Sequence, residues 1–261
     1  MSVNSRGAER RRSQREQRHF HATVARGDSV YWADRSAAGR RRQEIRAARL
    51  QRSADLERVP GARVLDIGCG TGAYSRPFAR HTRANVVGVD VTVSLLLTAQ
   101  PASPANLRFA AADASELPFP GEAFDAVVGN AVLHHLPLER SLPELIRVLK
   151  PGGRFCFAEP NLLNPHVFLE RNIPWLRRWL ENSPDEVAFI RWRLRSALEA
   201  FGLVDVSIEP FDFLYPLTPR PLIRAVEAAG SVLERIPGVR EIAGSLLILA
   251  RKPEEARSGE G

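Results

Sequence analysis

Residues 66–72 read Asp-Ile-Gly-Cys-Gly-Thr-Gly, and these residue types at this spacing suit the binding of a nucleotide-like cofactor. The apolar run that precedes the first glycine predicts a buried strand, and glycines let a ligand approach the backbone closely. A strand, a glycine-rich loop and a helix in this order are typical of a doubly wound α/β unit. The G-x-G-x-G spacing differs from the dinucleotide fingerprint G-x-G-x-x-G, and the loop lacks the Gly-Lys-Ser/Thr ending of a kinase-type phosphate loop.

Two further acids follow predicted strands. Asp90 ends the apolar run 85–90, and Asp113 ends the run 107–113. Because the carboxyl ends of parallel strands meet at one edge of a sheet, these acids should lie near the glycine loop. A carboxylate after the second strand can accept hydrogen bonds from both ribose hydroxyls of an adenosine.

The rest of the chain alternates strands and helices in the same way. Residues 124–130 predict a fourth strand, residues 138–149 a helix with one apolar face, and residues 154–159 a fifth strand. Residues 203–209 predict a sixth strand and residues 242–250 the last one. This order of elements favours a single α/β core.

Together these runs resemble the class I S-adenosylmethionine (SAM) dependent methyltransferases, in the small-molecule, methyltransferase type 11-like branch. The resemblance rests on the glycine loop, the two later acids, the Asp113-Ala114 pair and the fourth strand. It implies an α/β, Rossmann-like seven-stranded sheet of order 3-2-1-4-5-7-6, with strand 7 antiparallel. It also implies helices on both faces of the sheet and a helical cap.

The resemblance assigns the parts of SAM to particular residues. Asp66 serves the methionyl ammonium and Asp90 the ribose, while Asp113 and the N–H of Ala114 serve the adenine, whose edge needs an acceptor beside a donor. Asn130 is expected to contact the cofactor through its backbone. The remaining implied cofactor residues are Gly68, Cys69, Gly70, Gly72 and Val91.

A sulfonium methyl group is already a good electrophile, so the protein mainly has to align the nucleophile and exclude water. A general base helps when the nucleophile is a hydroxyl or an acidic carbon. His134 and His135, just beyond the fourth strand, are the leading catalytic candidates, and a structural role for them is the alternative. Glu159 and His166 are weaker candidates. Adjacent histidines are poorly spaced as metal ligands, so no metal site is expected.

The sequence suggests a division into a core and several flanking segments. Ser183 to Ala200 predicts a helix, and Tyr31 and Trp32 are candidates for a lid. The predicted divisions are a disordered Arg-rich arm (1–18), an N-terminal helical lid segment (19–58), a SAM-binding core (59–160), a helical aromatic cap that selects substrate (161–202), the C-terminal part of the sheet (203–251) and a disordered tail (252–261).

Positive charge is concentrated at the start of the chain. Residues 1–52 hold 14 arginines and five acids, a net of +9, whereas the whole chain carries +7. Such an arm can bind phosphate backbones, and a solvated tail is the alternative. Residues 130–133 read Asn-Ala-Val-Leu instead of the Asn/Asp-Pro-Pro-Tyr/Phe of amino-group nucleic-acid methylases, which disfavours a nucleic-acid substrate.

Cellular location is read from the cysteines and from hydropathy. Cys69 and Cys156 are expected to be small buried thiols in a reducing cytoplasm. A transmembrane helix needs about 18 consecutive apolar residues, and the sequence has no such run. Residues 166–180 could contact a membrane surface, an interpretation that is not favoured.

The sequence therefore predicts a SAM-dependent methyltransferase that acts on an O, N or C atom of a small, apolar or aromatic metabolite. The alternatives are an RNA-directed methyltransferase that uses the basic arm, and a SAM-binding protein without catalysis. The acceptor and the oligomeric state stay open.

Overall fold

The computed structural model describes residues 36–55, 59, 61–100, 103–173 and 188–254. The predictions for the arm (1–18), for Tyr31 and Trp32 and for most of the tail lie outside these residues. So do Trp175 and Trp179 of the predicted aromatic cap.

Seven strands form one mixed sheet of order β3-β2-β1-β4-β5-β7-β6, which confirms the predicted fold class. The neighbours from β3 to β5 run parallel, and β7 lies antiparallel between β5 and β6. The strands are β1 (Arg63–Ile67), β2 (Asn85–Asp90), β3 (Leu107–Ala111), β4 (Phe124–Asn130), β5 (Leu149–Pro160), β6 (Val204–Phe211) and β7 (Ser245–Arg251).

Helices cover both faces of the sheet. One core cluster joins the sheet to the helices at 138–148 and 191–200, and a second joins it to the helices at 37–54 and 75–81. The α-helices of the described residues are α1 (Ala37–Ala54), α2 (Ser75–His81), α3 (Val93–Ala99), α4 (Leu138–Val148), α5 (Pro165–Asn172), α6 (Arg191–Ala200) and α7 (Ile223–Leu233).

Helix α1 begins and ends at strong local signals. Ser36 is its N-cap and accepts a hydrogen bond from the N–H of Gly39 at 2.7 Å, while Asp55 ends it in the left-handed conformation. Ser36 also donates to the carbonyl of Pro216, and Asp55 pairs with Arg154 at 3.0 Å. Because Pro216 follows β6 and Arg154 lies in the first half of β5, α1 runs from the carboxyl edge of the sheet back across its face.

The predicted helix over 183–200 is wrong at residues 188–190, and its first residues, 183–187, lie outside the described part of the chain. Residues 188–190 are not helical, and α6 begins only at Arg191. The N–H of Phe189 donates to the carbonyl of Pro160 at 3.2 Å, and the carbonyl of Phe189 accepts from Leu162 at 2.9 Å. This pairing with the end of β5 uses the backbone groups that a helix would need, so tertiary contact overrides local helical preference.

Strand β5 carries the centre of the core. Phe155 and Phe157 are fully buried, with ring centroids 4.4 Å apart. Truncating such a side chain loses its transfer free energy and leaves a cavity.

We expect Phe155→Ala to lower the free energy of unfolding by about 3–5 kcal/mol, the range for buried aromatic truncations. Leu97→Ala is the control, because Leu97 is 62% exposed, and should change stability by less than about 0.5 kcal/mol. Urea denaturation of both variants measures the difference. Equal losses in the two variants would contradict this description of the core.

Candidate functional site

Asp66 is a buried carboxylate near the end of β1. Its residue surface is 1% exposed, and Oδ2 accepts a hydrogen bond from the hydroxyl of Ser75 at 2.5 Å. Burial raises the pKa of Asp66 to about 7, and the nearby Asp90 carboxylate raises it further, whereas the Ser75 bond opposes the shift. A cation placed beside this carboxylate would stabilise its ionised form.

The glycine loop follows directly and is fixed at both ends. The N–H of Cys69 donates to the carbonyl of Val89 at 3.0 Å, and the N–H of Gly72 donates to the carbonyl of Cys69 at 2.8 Å. Gly68 has φ +62°, and a Cβ there would collide with the side chain of Val132. Gly70, at φ +52°, has no other group within 4 Å of the place where its Cβ would stand, so open space adjoins the loop there.

Asp90, at the end of β2, ties this loop to the neighbouring strand. Its Oδ2 accepts from the N–H of Gly70 at 2.9 Å, and its Oδ1 accepts from the N–H of Thr92 at 2.8 Å. Burial raises the pKa of Asp90, and the two backbone bonds oppose that shift. Val91, the next residue, is half-buried at the same edge.

The predicted adenine residues follow β3. That strand ends at Ala111, two residues earlier than predicted, and its last ladder bond runs from the N–H of Ala112 to the carbonyl of Asp90 at 3.1 Å. Asp113 is exposed, and its Oδ1 accepts from the N–H of Ser115 at 2.8 Å. Ala114 is buried beside it.

Asn130 ends β4, the strand next to β1, and its side chain has a feature that the sequence did not indicate. Its Oδ1 is buried and has no hydrogen-bond partner among the described residues. An unsatisfied buried carbonyl oxygen costs free energy, so this atom is suited to accept a hydrogen bond from a ligand. The sequence predicted only a backbone contact here.

The turn after β4 is held by one carboxylate. Glu159 is buried at the end of β5, and its Oε1 accepts from the N–H groups of Val132 at 2.9 Å and Leu133 at 2.8 Å. Its Oε2 lies 2.7 Å from Nδ1 of His134. Burial raises the pKa of Glu159 to about 7, with the backbone bonds opposing. Glu159, a weaker candidate base from the sequence, therefore positions the turn that carries both histidines.

The two histidines differ in their surroundings. His134 is 3% exposed, whereas His135 is half-buried, and their rings lie 4.1 Å apart. Asp90 and Glu159 both lie close enough for the charge of His135 to lower their pKa values. The catalytic roles of His134 and His135 stay predictions.

A second polar cluster, which sequence analysis did not find, lies where β6 ends and β7 begins. Asp212 is 6% exposed, and its Oδ2 pairs with Arg42 at 2.8 Å and with Arg46 at 3.2 Å. Arg46 also donates to the hydroxyl of Ser245 at 2.5 Å. The two arginines lie one helical turn apart on α1, a spacing that could have suggested a shared partner. That partner, Asp212, is about 170 residues further along the chain, so the sequence did not identify it.

Within the described part of the chain, no group of three or more His, Cys, Asp or Glu side chains could hold a metal ion. No helix there is long and apolar enough to cross a membrane. Cys69 and Cys156 are both free and buried, and burial raises the pKa of the Cys156 thiol to about 12.

The fold and this edge of the sheet define the class of protein. Residues 65–157 match the family described as the methyltransferase domain. The 2-methyl-6-phytyl-1,4-hydroquinone methyltransferase of Synechocystis is 32% identical over 167 residues, which cover 61% of this chain and 52% of that protein. The demethylmenaquinone methyltransferase of Thermobifida fusca is 32% identical over 163 residues, which cover 58% of this chain and 68% of that protein.

Among solved structures, a complex between the Haloferax volcanii Trm112 methyltransferase activator and a methyltransferase contains a similar fold. The TM-score is 0.66 at 20% identity, with 90% of this chain and 98% of the other covered. At this identity the likeness shows the fold alone.

The chain therefore belongs to the class I SAM-dependent methyltransferases. It spans about half the length of the first curated relatives that it matches. SAM is the cofactor of this family, and the described residues fit it. Open space adjoins Gly70, the half-buried Asp90 accepts from the loop, the buried Asp66 lies on the strand that leads into it, and Asn130 offers a buried acceptor.

The raised pKa of Asp66 makes stability depend on pH. The folded-state pKa of about 7 exceeds the ordinary value of 3.8, so the folded state binds more protons between these values. The free energy of unfolding therefore falls as pH rises through this range.

We expect the ligand-free protein to lose on the order of 2 kcal/mol between pH 5 and pH 7.5 relative to Asp66→Asn, which cannot ionise. Urea denaturation of both proteins at the two pH values measures the difference. Parallel pH profiles for the two proteins would show that Asp66 ionises normally.

Proposed function

We propose that this protein transfers the methyl group of SAM to a small-molecule acceptor. The observation that carries the proposal is the joint position of Asp66, Asp90 and Asn130. They lie at the carboxyl ends of three adjacent parallel strands, around a glycine loop with open space beside it. The side-chain oxygens of these three residues are hydrogen-bond acceptors, and their placement suits a ligand that carries an ammonium group and ribose hydroxyls.

Each part of the cofactor has a proposed partner. Asp66 offers its buried carboxylate to the methionyl ammonium, and Asp90 accepts from the ribose hydroxyls while it holds Gly70. Asp113 and the backbone of Ala114 bind the adenine edge, and Val91 lies beside them. The loop residues Gly68, Cys69, Gly70 and Gly72 line the same space. When bound, the cofactor supplies an electrophilic methyl group.

The protein's own task is to place the acceptor and keep water away. The turn at 132–135 lies at the end of β4, and Glu159 fixes it in place. Relatives of this chain are named for a hydroquinone and for demethylmenaquinone, which supports an aromatic acceptor of low polarity. The proposed lid (19–58) and cap (161–202) are kept as proposals, and residues 19–35, 56–58 and 174–187 of them lie outside the described part of the chain.

The location that we propose is the cytoplasm. Both cysteines are free thiols, as expected in a reducing compartment. Strand β4 lies between the strands that precede Cys69 and contain Cys156, so the fold keeps them apart.

Asp90→Ala should weaken SAM binding by about 100-fold or more, because charge-assisted hydrogen bonds contribute roughly 1.5–3 kcal/mol each. Isothermal titration calorimetry measures the affinity. Glu199→Ala is the control, because Glu199 is an acid with a half-exposed side chain on α6. Asp90→Asn keeps an acceptor for Gly70, so it separates loss of the charge from collapse of the loop. Unchanged SAM affinity in both Asp90 variants would contradict the assignment of Asp90 to the cofactor site.

A further inference from the structure

Helix α7 and its flanking residues present a row of apolar side chains to solvent. Leu222, just before the helix, is 52% exposed, Val232 is 55% exposed, and Ile236, just after the helix, is 41% exposed. Two exposed alanines stand between them, and the five residues recur at alternating intervals of three and four, which places them along one side of a helix. This apolar stripe comprises Leu222, Ala225, Ala229, Val232 and Ile236. A continuous row of exposed apolar side chains indicates a surface that contacts another molecule or a membrane.

The opposite side of α7 is fixed to the body of the protein. A small buried cluster joins Ile223 of this helix to α1. Glu227 pairs with Arg41 of α1 at 2.6 Å, and Glu234 pairs with Arg49 of α1 at 2.6 Å. Because both pairs follow the same chain order, the two helices lie side by side and run in the same direction. The apolar stripe therefore faces away from the protein on a helix that α1 holds in place.

The charges around α7 are sorted by sign. Residues 215–240 contain two acids, Glu227 and Glu234, and these are the acids that pair with α1. Three arginines of the same segment are exposed, and none of them forms an ion pair with a described residue. They are Arg220, Arg224 and Arg235. The exposed side of α7 therefore combines the apolar stripe with positive charge that this segment does not neutralise.

The arginines lie beside the stripe. Arg224 and Arg235 are eleven residues apart (235 − 224 = 11), which is about three helical turns, so both lie on the same flank of the helix. A helix that rests in a membrane interface has this arrangement, with one apolar side that enters the acyl boundary and basic residues that meet the headgroups.

Charge complementarity favours an anionic lipid surface over a second copy of this chain. A two-fold dimer would place the same patch of both copies in one interface, so both sets of arginines would meet without an acid from this segment between them. Like charges in one interface disfavour association. A bilayer that contains anionic lipids attracts the arginines and also takes up the apolar side chains.

We propose that α7 docks this protein on an anionic lipid surface. The apolar stripe enters the boundary between headgroups and acyl chains, and Arg220, Arg224 and Arg235 meet the headgroups. This inference goes beyond the proposed function and does not depend on it. The docking element is also distinct from residues 166–180, the segment whose sequence allowed membrane contact.

The test is co-sedimentation of the full-length protein with phosphatidylcholine vesicles, either pure or with about one third phosphatidylglycerol. We expect binding to the anionic vesicles that is at least about tenfold tighter than binding to the neutral ones.

The first variant tests the apolar stripe at constant charge. The double variant Val232→Ser and Ile236→Ser should bind anionic vesicles about tenfold more weakly, because it removes apolar surface that enters the lipid. Leu97→Ser is the matched control, because Leu97 is 62% exposed on another helix, α3. It should bind as the native protein does.

The second variant tests the positive charge. The double variant Arg224→Gln and Arg235→Gln should weaken binding to anionic vesicles by about 30-fold, because two basic residues lose their attraction to the surface. The control removes two exposed arginines elsewhere, Arg80 on α2 and Arg193 on α6, by the same change to glutamine. Circular dichroism verifies that all variants fold, as expected for changes at exposed positions.

Three results would overturn the proposal. The first is a native protein that does not bind anionic vesicles. The second is binding that the stripe variant leaves unchanged, which would assign the attraction to basic residues alone, such as those of the segment 1–52. The third is a native dimer that the stripe variant converts to a monomer in analytical ultracentrifugation, since the stripe would then contact a second copy.

Discussion

The arrangement of this edge depends on two carboxylates beside one loop, the buried Asp66 and the half-buried Asp90. Burial raises the pKa values of Asp66 and Asp90, and the Asp90 carboxylate raises that of Asp66 further. Hydrogen bonds from Ser75, Gly70 and Thr92 offset part of it. The same bonds set the path of the loop, and a cation beside Asp66 would stabilise the ionised carboxylate.

The parallel sheet brings these groups together. Because β1, β2, β4 and β5 run in one direction, their carboxyl ends lie side by side, and Glu159 reaches back from β5 to fix the turn after β4. The antiparallel β7 then brings Ser245 to the same edge as Asp212. One edge thus has two polar regions, one over β1 and β2 and the other over β5, β7 and β6.

Sequence patterns predicted the parts that depend on local order. Apolar runs that end in acids gave the strands, and the family resemblance gave the sheet order that the structure confirms. The parts that were missed depend on distant partners. Asp212 meets α1 across about 170 residues, and the buried oxygen of Asn130 is visible only once β4 is placed. Phe189 is not helical, although a helix was predicted there, because its backbone N–H donates to the carbonyl of Pro160. No local sequence pattern predicts this contact.

The most direct measurement is a crystal structure of the protein with S-adenosylhomocysteine bound. The account predicts ribose hydroxyls within hydrogen-bond distance of Asp90, the ammonium group beside Asp66, and the sulfur facing the turn at 132–135. Binding of the adenosine away from Asp90, or with its ammonium group far from Asp66, would contradict the account.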